Sequence, residues 1–329
     1  MRHGRSKGIA LIRPNFYWED EALFALIRRS TAIGCKDAYG EEAVRHLIDP
    51  TNQVFRMKIP AHGYVYERAG AVLGISGWIE EGENRARITH CFTAPEAYGS
   101  GIGSQILKHA LTQVHRAGFH DVSLRATLNA EAFYRRLGFE KVGNHDLPIT
   151  EGWSIKGAVM QAPHQLNITT PPELNIIRPA LDSDAEGIIS LVDRCFSEYE
   201  GVYLDVDGEE PILKTFNSGF KAMGGRSWVL EKAGAVQACI GWSPVVGGIE
   251  LKKLYLDQNL RGQGLANSML DLILDAAHRY GTQHIELWSD TKFKRAHRFY
   301  EKNGFERTQD VRALNDISNT TEYRFIRQL

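Results

Sequence analysis

The sequence predicts an α+β fold built twice in tandem, each copy a mixed, mainly antiparallel sheet flanked by helices. Three observations carry this. The chain has 329 residues, more than one hydrophobic core usually organises, and about 150 residues per domain is the ordinary scale. Five sequence markers recur in the same order at nearly constant spacing. The same succession of helical and strand-like hydrophobic patterns fills both halves.

The markers begin with Ile12-Arg13-Pro14, which returns as Ile177-Arg178-Pro179, 165 residues later. Glu67-Arg68-Ala69-Gly70-Ala71-Val72 returns as Glu231-Lys232-Ala233-Gly234-Ala235-Val236, and Gly77-Trp78 as Gly241-Trp242, both offset by 164. Gly101 matches Gly264, and Phe133-Tyr134 with Gly138-Phe139 matches Phe299-Tyr300 with Gly304-Phe305. Constant order and spacing identify a duplicated domain. The seam falls in a stretch containing Pro163, Thr169, Thr170, Pro171 and Pro172, because proline stiffens a chain and removes donors from a sheet. The expected organisation is a first domain over 1–162, a linker over 163–174 and a second domain over 175–329.

Each copy is expected to open with a helix, marked by Leu23, Leu26 and Ile27 or by Ile188, Leu191, Val192 and Cys195, after Asp20 and after Asp182 or Ser183 as caps. A β-hairpin follows, over 64–67 and 71–79 or 228–231 and 236–242, turning at Ala-Gly. The third strand, 88–93 or 250–256, runs into a glycine turn and then a long amphipathic helix. Ile102, Ile106, Ala110 and Val114 mark the apolar face in one copy; Leu265, Met269, Leu272, Ile273, Ala276 and Tyr280 mark it in the other. Gly118 and Gly281 sit where a glycine ends a helix. A short strand, a helix carrying Phe-Tyr and a last strand complete each copy.

A formal net charge of -1, with 43% hydrophobic and 24% charged residues, is that of an ordinary globular chain. It argues for neither nucleic acid nor membrane as a partner. Cys35, Cys91, Cys195 and Cys239 are widely spaced and form no CxxC pair, which reads as reduced thiols in a cytoplasmic protein. The basic start, Met1 to Lys7, leads into no apolar signal core, and no run reaches the length of a membrane span. The histidines show no metal-ligand spacing, so no metal is expected.

The glycine turn carries the chemistry. One copy reads Tyr98-Gly99-Ser100-Gly101-Ile102-Gly103-Ser104 and the other Arg261-Gly262-Gln263-Gly264-Leu265-Ala266, each between a strand and a helix. Such a turn offers several backbone N–H groups at a helix N-terminus, where the dipole favours anions. Neither turn is followed by Lys-Ser/Thr, which excludes a P-loop. Each follows a third strand rather than the first strand of a βαβ unit, which disfavours a dinucleotide fold.

In these residues the chain resembles the GNAT superfamily of acyl-CoA-dependent N-acyltransferases, over nearly its whole length and twice. The family signature, Arg/Gln-x-x-Gly-x-Gly/Ala, is met by Arg261, Gly264 and Ala266, while Tyr98 replaces the Arg/Gln in the first copy. Tyr134 and Tyr300, each followed by x-x-x-Gly-Phe, match a second signature. The resemblance implies acetyl-CoA as co-substrate, bound by both turns and by the strand ends at Phe92 and Thr93 or Tyr255 and Leu256. It implies that Asn129 faces the pantetheine, with Arg295 at the same place in the second copy.

Acetyl transfer needs a neutral amine, a polarised carbonyl and a proton for the leaving thiolate. An amine of pKa about 10 requires a base. Glu250 occupies the position of the family's carboxylate base; Arg87 stands there in the first copy, where His90 is the nearest alternative. A backbone N–H near Leu256 or Thr93, in a splayed strand gap, is the expected oxyanion donor. Tyr300 and Tyr134 are the expected acids. Cys91 reads as a core thiol rather than a nucleophile.

The acceptor is expected to be a small-molecule or peptide amine. The stretch Glu198 to Glu210 holds six carboxylates and two tyrosines, which would suit a cation through charge steering and cation–π contact; the same residues also read as a solvated acidic loop. Direct attack in a ternary complex, with the chemistry in the second copy, is the leading expectation. Catalysis in the first copy with the second as scaffold, or acyl-CoA binding without turnover, remain alternatives, and a homodimer is compatible with either.

Overall fold

The computed structural model describes residues 8–49, 59–60, 62–150, 153–314 and 317–329. The chain divides into two compact units, Ala10–Pro171 and Pro172–Leu329, the latter together with Gly8 and Ile9. The division falls between two prolines of the proline-rich stretch. Residues 163–171 nonetheless pack on the first unit: Leu166 is buried, and the Lys108 ammonium donates to Ile168 O and Thr170 Oγ1.

The first unit runs β1 (Ala10–Pro14), α1 (Asp20–Gly34), α2 (Lys36–Ile48), β2 (His62–Arg68), β3 (Ala71–Glu80), β4 (Arg85–Thr93), α3 (Ile102–Arg116), β5 (Asp121–Thr127), α4 (Leu128–Arg136), β6 (Glu140–Thr150) and β7 (Trp153–Gln161). Its strands lie in the order β1-β2-β3-β4-β5-β7-β6. The second unit repeats this with β8 (Asn175–Pro179), α5 (Ala185–Phe196), α6 (Phe216–Ala222), β9 (Arg226–Lys232), β10 (Ala235–Val245), β11 (Gly248–Leu256), α7 (Leu265–Arg279), β12 (His284–Asp290), α8 (Lys294–Lys302), β13 (Glu306–Ala313) and β14 (Thr321–Gln328), ordered β8-β9-β10-β11-β12-β14-β13. Pairing is antiparallel except between β4 and β5 and between β11 and β12. Each unit is thus the mixed, mainly antiparallel sheet with flanking helices that its patterning predicts.

The hairpin turns fall at Ala69-Gly70 and Ala233-Gly234, where both residues take positive φ, 51° and 80° in one unit and 50° and 80° in the other. Two left-handed residues in succession give the turn whose twist matches the flanking strands. The long helices bury the anticipated faces, with Ile102, Ile106, Ala110 and Val114 or Leu265, Met269, Leu272, Ile273 and Ala276 in the core. Tyr280 departs from that face: it caps α7, is 58% exposed and packs edge-on against Trp242.

Four expectations need correcting. Each unit opens with a strand before its helix, and the Ile-Arg-Pro marker lies in that strand. Each ends with two strands instead of one, because β6 carries Gly143 and Pro148 and β13 is exposed along most of its length and charged at four of its eight residues, leaving no apolar alternation to read. A second helix follows the first: α2 continues past a break at Gly40, and α6 seals the core with fully buried Phe216 and Phe220. The cap positions of α1 and α5 fall to Glu19 and Asp184. Asp182 instead accepts the N–H groups of Asn217 and Ser218 in the first turn of α6. Among the described residues no helix is long and apolar enough to cross a membrane.

Candidate active site

In both units the site begins where two parallel strands part. β4 pairs with β5 only over Arg85–Ile88, and β11 with β12 only over Gly248–Glu250. Beyond those points a bulge interrupts the pairing with the preceding strand, centred on His90 (φ 55°) and on Lys253 (φ 56°). A bulge adds twist and bends its strand, so a gap opens towards Phe92 and Thr93 in one unit and towards Tyr255 and Leu256 in the other. These four residues line the strand ends that lead into the glycine turns.

The turns are shaped alike. Gly99 and Gly101, and Gly262 and Gly264, all have φ between 74° and 83°, a region costly for any residue with a β-carbon. Neither α3 nor α7 carries a side-chain cap, which leaves their first-turn N–H groups to address a ligand. Ser100 and Gln263 fold their side chains back onto Ala97 O and Asn259 O. Ile102 and Leu265 point into the core, so only their backbone faces the turn. A β-carbon on Gly103 would lie 3.0 Å from Thr93 Oγ1, showing how closely the helix start meets the strand end; Ala266 and Ser104 sit in the same first turn.

The units differ in what surrounds the turn. Arg261 is held by a bidentate pair with Glu198 at 2.5 and 2.6 Å and donates from Nε to Leu256 O at 3.2 Å. Arg295 reaches the same carboxylate at 3.5 Å. Two guanidinium groups therefore converge beside the second turn, with Glu198 between them. At the corresponding place in the first unit the Tyr98 hydroxyl donates to Ser30 O at 3.0 Å and lies 3.1 Å from Ser30 Oγ. Asn129 accepts from the Cys35 thiol at 3.4 Å.

The two tyrosines are buried, and burial raises both hydroxyls above the ordinary phenol value. For Tyr134, the nearby Cys91 thiol, to which it is hydrogen-bonded, adds to the shift. Burial pushes that thiol up to about 11, against the hydroxyls of Tyr134 and Ser76, which keeps it an unreactive core thiol. Tyr300 has no hydrogen-bond partner among the described residues. Beside it the Tyr255 hydroxyl is also raised, by burial first and then by the charge of Glu210.

Of the expected bases, Glu250 stands at the last residue of β11 still paired with β12 and forms an ion pair with Lys252. His90 lies on the bulge with its Nδ1 buried and unpartnered. Burial, reinforced by Arg87, lowers it to about 4, so it is neutral at pH 7 and a weak proton acceptor. Sequence reasoning placed Glu210 only within the acidic stretch and did not foresee its ion pair with Lys253 on the other bulge. The pair spans 43 residues, and no local pattern announces it.

The acidic stretch is less free than its composition suggests. Glu198 is taken by the two arginines. Asp205 accepts the N–H groups of Asp207 and Gly208, Asp207 pairs with Lys214, Glu209 accepts the Ile317 N–H, and Glu210 holds Lys253. Only the Glu200 carboxylate is without a partner among the described residues. Most of the field expected to steer a cation is thus spent internally. No group of three or more metal-ligating side chains comes together among the described residues.

Comparison with known proteins agrees with this architecture. Residues 35–147 and 223–307 each match a family model described as an acetyltransferase (GNAT) domain. The chain belongs to the GNAT acetyltransferases and carries two such domains. An uncharacterized N-acetyltransferase of Escherichia coli K12, YjgM, is 27% identical over 141 residues, 41% of this chain and 84% of that protein. An uncharacterized acetyltransferase of Streptococcus pyogenes serotype M1 is 29% identical over 66 residues, 20% of this chain and 46% of that protein, so the match spans under half of that relative's length. Among solved structures, a GNAT-family acetyltransferase of Staphylococcus aureus Mu50 is 22% identical with a TM-score of 0.40, covering 46% of this chain and 98% of that one. The PaiA N-acetyltransferase of Thermoplasma acidophilum, solved in complex with coenzyme A, is 17% identical with a TM-score of 0.38, covering 47% and 99%.

Proposed function

We propose that the chain is an acetyl-CoA-dependent N-acetyltransferase that acts on a primary amine by direct attack in a ternary complex, with the chemistry in the second unit. The observation that carries this choice is the contrast between the two buried tyrosines. The Tyr300 hydroxyl is buried with no hydrogen-bond partner among the described residues, whereas the Tyr134 hydroxyl interacts with the Cys91 thiol. A burial-raised phenol stays protonated near neutral pH and so keeps a proton to donate.

The second turn also fits the coenzyme better. Its backbone N–H groups and the convergent Arg261 and Arg295 suit a pyrophosphate, since charge-assisted hydrogen bonds from arginine are the stronger kind. Bound acetyl-CoA supplies the activated acyl group; the chain supplies position, exclusion of water and protons. Main-chain N–H groups at the mouth of the gap, near Leu256, polarise the carbonyl. Tyr300 protonates the departing thiolate, and a carboxylate on the acceptor side, for which Glu250 is the family-like choice, removes a proton from the amine. In the first unit the low pKa of His90 and the Tyr134–Cys91 contact both weigh against turnover.

The test is thiol release from acetyl-CoA with a panel of primary amines. Tyr300→Phe should lower kcat by about 100-fold, the lower end of what a positioned acid contributes, while Tyr134→Phe should change it by less than about threefold. Equal rates for the Tyr300→Phe variant and the parent chain, or a loss confined to Tyr134→Phe, would move the chemistry out of the second unit.

A further inference from the structure

We infer that Glu210, rather than a residue of the sheet itself, is the base that takes the proton from the acceptor amine in the second unit. The inference rests on the acetyltransferase reading above and adds the residue on the acceptor side.

Four placements support it. Glu210 closes the segment that leaves α5, and its carboxylate reaches the β11 bulge by ion-pairing with Lys253. That bulge is where β11 has already parted from β12. Glu250, three residues earlier than Lys253, still pairs with Glu286 of β12 and is held by Lys252. The Cys239 thiol donates to Lys253 O at 3.3 Å, and Cys239 pairs in register with Tyr255, which fixes the bulge beside the strand end. Glu210 lies close enough for its charge to act on both Tyr255 and Cys239, and Tyr255 in turn feels Tyr300. Glu210 and Tyr300 thus both act on Tyr255 at the end of β11.

Lys253 gives the arrangement its logic. A half-buried carboxylate left alone would be costly, and the lysine holds it until an acceptor arrives. A substrate ammonium is a chemical equivalent of the lysine head group and can replace it at the carboxylate. Glu210 then accepts one ammonium proton, and the freed nitrogen lone pair forms the N–C bond to the thioester carbonyl. As the C–S bond breaks, Tyr300 gives its proton to the sulfur, and the nitrogen loses its second proton to the phenolate. The sum converts an ammonium and a thioester to an amide, a thiol and one proton released from Glu210.

The test uses the full chain, acetyl-CoA and a panel of benzylamine, putrescine and a lysine-containing peptide, with kcat and KM measured for each variant. Glu210→Gln should cut kcat by about 100-fold or more and leave coenzyme A affinity by calorimetry within about twofold. Formate should restore part of the rate to Glu210→Ala. Lys253→Met should lower kcat by at least about tenfold less than Glu210→Gln does, because the carboxylate that accepts the proton remains. Equal losses in Glu210→Gln and Lys253→Met, with no formate rescue, would reduce the pair to a structural tie and overturn the inference. So would an undiminished kcat in Glu210→Gln with its loss in Glu250→Gln, and in that case the acetyltransferase reading stands. If the parent chain turns over none of these amines, the acetyltransferase reading fails and this inference fails with it.

Discussion

Arg13 and Arg178 explain why distant markers recur together. Each guanidinium is buried and binds two carboxylates: Arg13 holds Glu19 at 2.7 Å and Glu67 at 2.9 Å, and Arg178 holds Asp184 at 2.8 Å and Glu231 at 2.9 Å. Burial opposes these charges, yet the hydrogen bond to Glu19 or Asp184 and the second carboxylate hold both guanidinium groups above their ordinary value. The Arg and the hairpin Glu are the very residues that revealed the repeat, because a buried charge cannot change without its partners. His90 shows the opposite case. Its folded pKa of about 4 lies below the unfolded value of about 6.5, so the unfolded chain binds a proton that the folded chain refuses. The contribution of His90 to stability is therefore complete above about pH 6.5 and lost as pH falls towards 4, amounting to about 3 kcal/mol. Urea unfolding at pH 7 and pH 5 should show a smaller drop in midpoint for His90→Gln than for the parent chain. An equal drop would place the proton uptake elsewhere.

Elements with a strong periodic face were legible in the sequence. The long helices α3 and α7, the two hairpins and the strands before the glycine turns could all be placed, since each has a buried side that fixes its period. What escaped was held by contacts rather than pattern: α6 is seven residues built around two phenylalanines, and β13 is exposed along most of its length. Site residues divided in the same way. The glycine turns and both tyrosines were visible as motifs, whereas Glu198, Glu210 and Lys253 act through pairings across tens of residues. The turn itself offers a clean test of backbone conformation. A β-carbon on Gly262 would meet nothing within 4 Å, yet its φ is 74°, so Gly262→Ala adds strain without a clash. It should lower coenzyme A affinity about tenfold at a stability cost of about 1–2 kcal/mol, measured by calorimetry and thermal unfolding. Undiminished affinity would mean that the turn is only a helix start.

At the scale of the whole molecule, duplication preserved the frame and let the sites drift apart. Both units keep the parted strands, the bulge with a left-handed residue and the left-handed glycines. The first unit filled its surroundings with neutral contacts between Tyr98 and Ser30 and between Asn129 and Cys35, while the second gathered opposite charges. The pair of arginines on Glu198 has a consequence for selectivity among anions. A site already holding a carboxylate takes up its ligand by exchange, so it responds to the difference between two anions rather than to the absolute attraction of one. On the proposed reading, Glu198 would act as an internal reference that weak anions fail to displace. Replacing it, as in Glu198→Gln, should tighten coenzyme A binding and at the same time make the enzyme several-fold more sensitive to inhibition by sulfate; unchanged sulfate inhibition would mean the carboxylate sets no threshold. On the proposed reading, the clamp would give the second unit discrimination, at some expense in affinity, in a solution crowded with small anions.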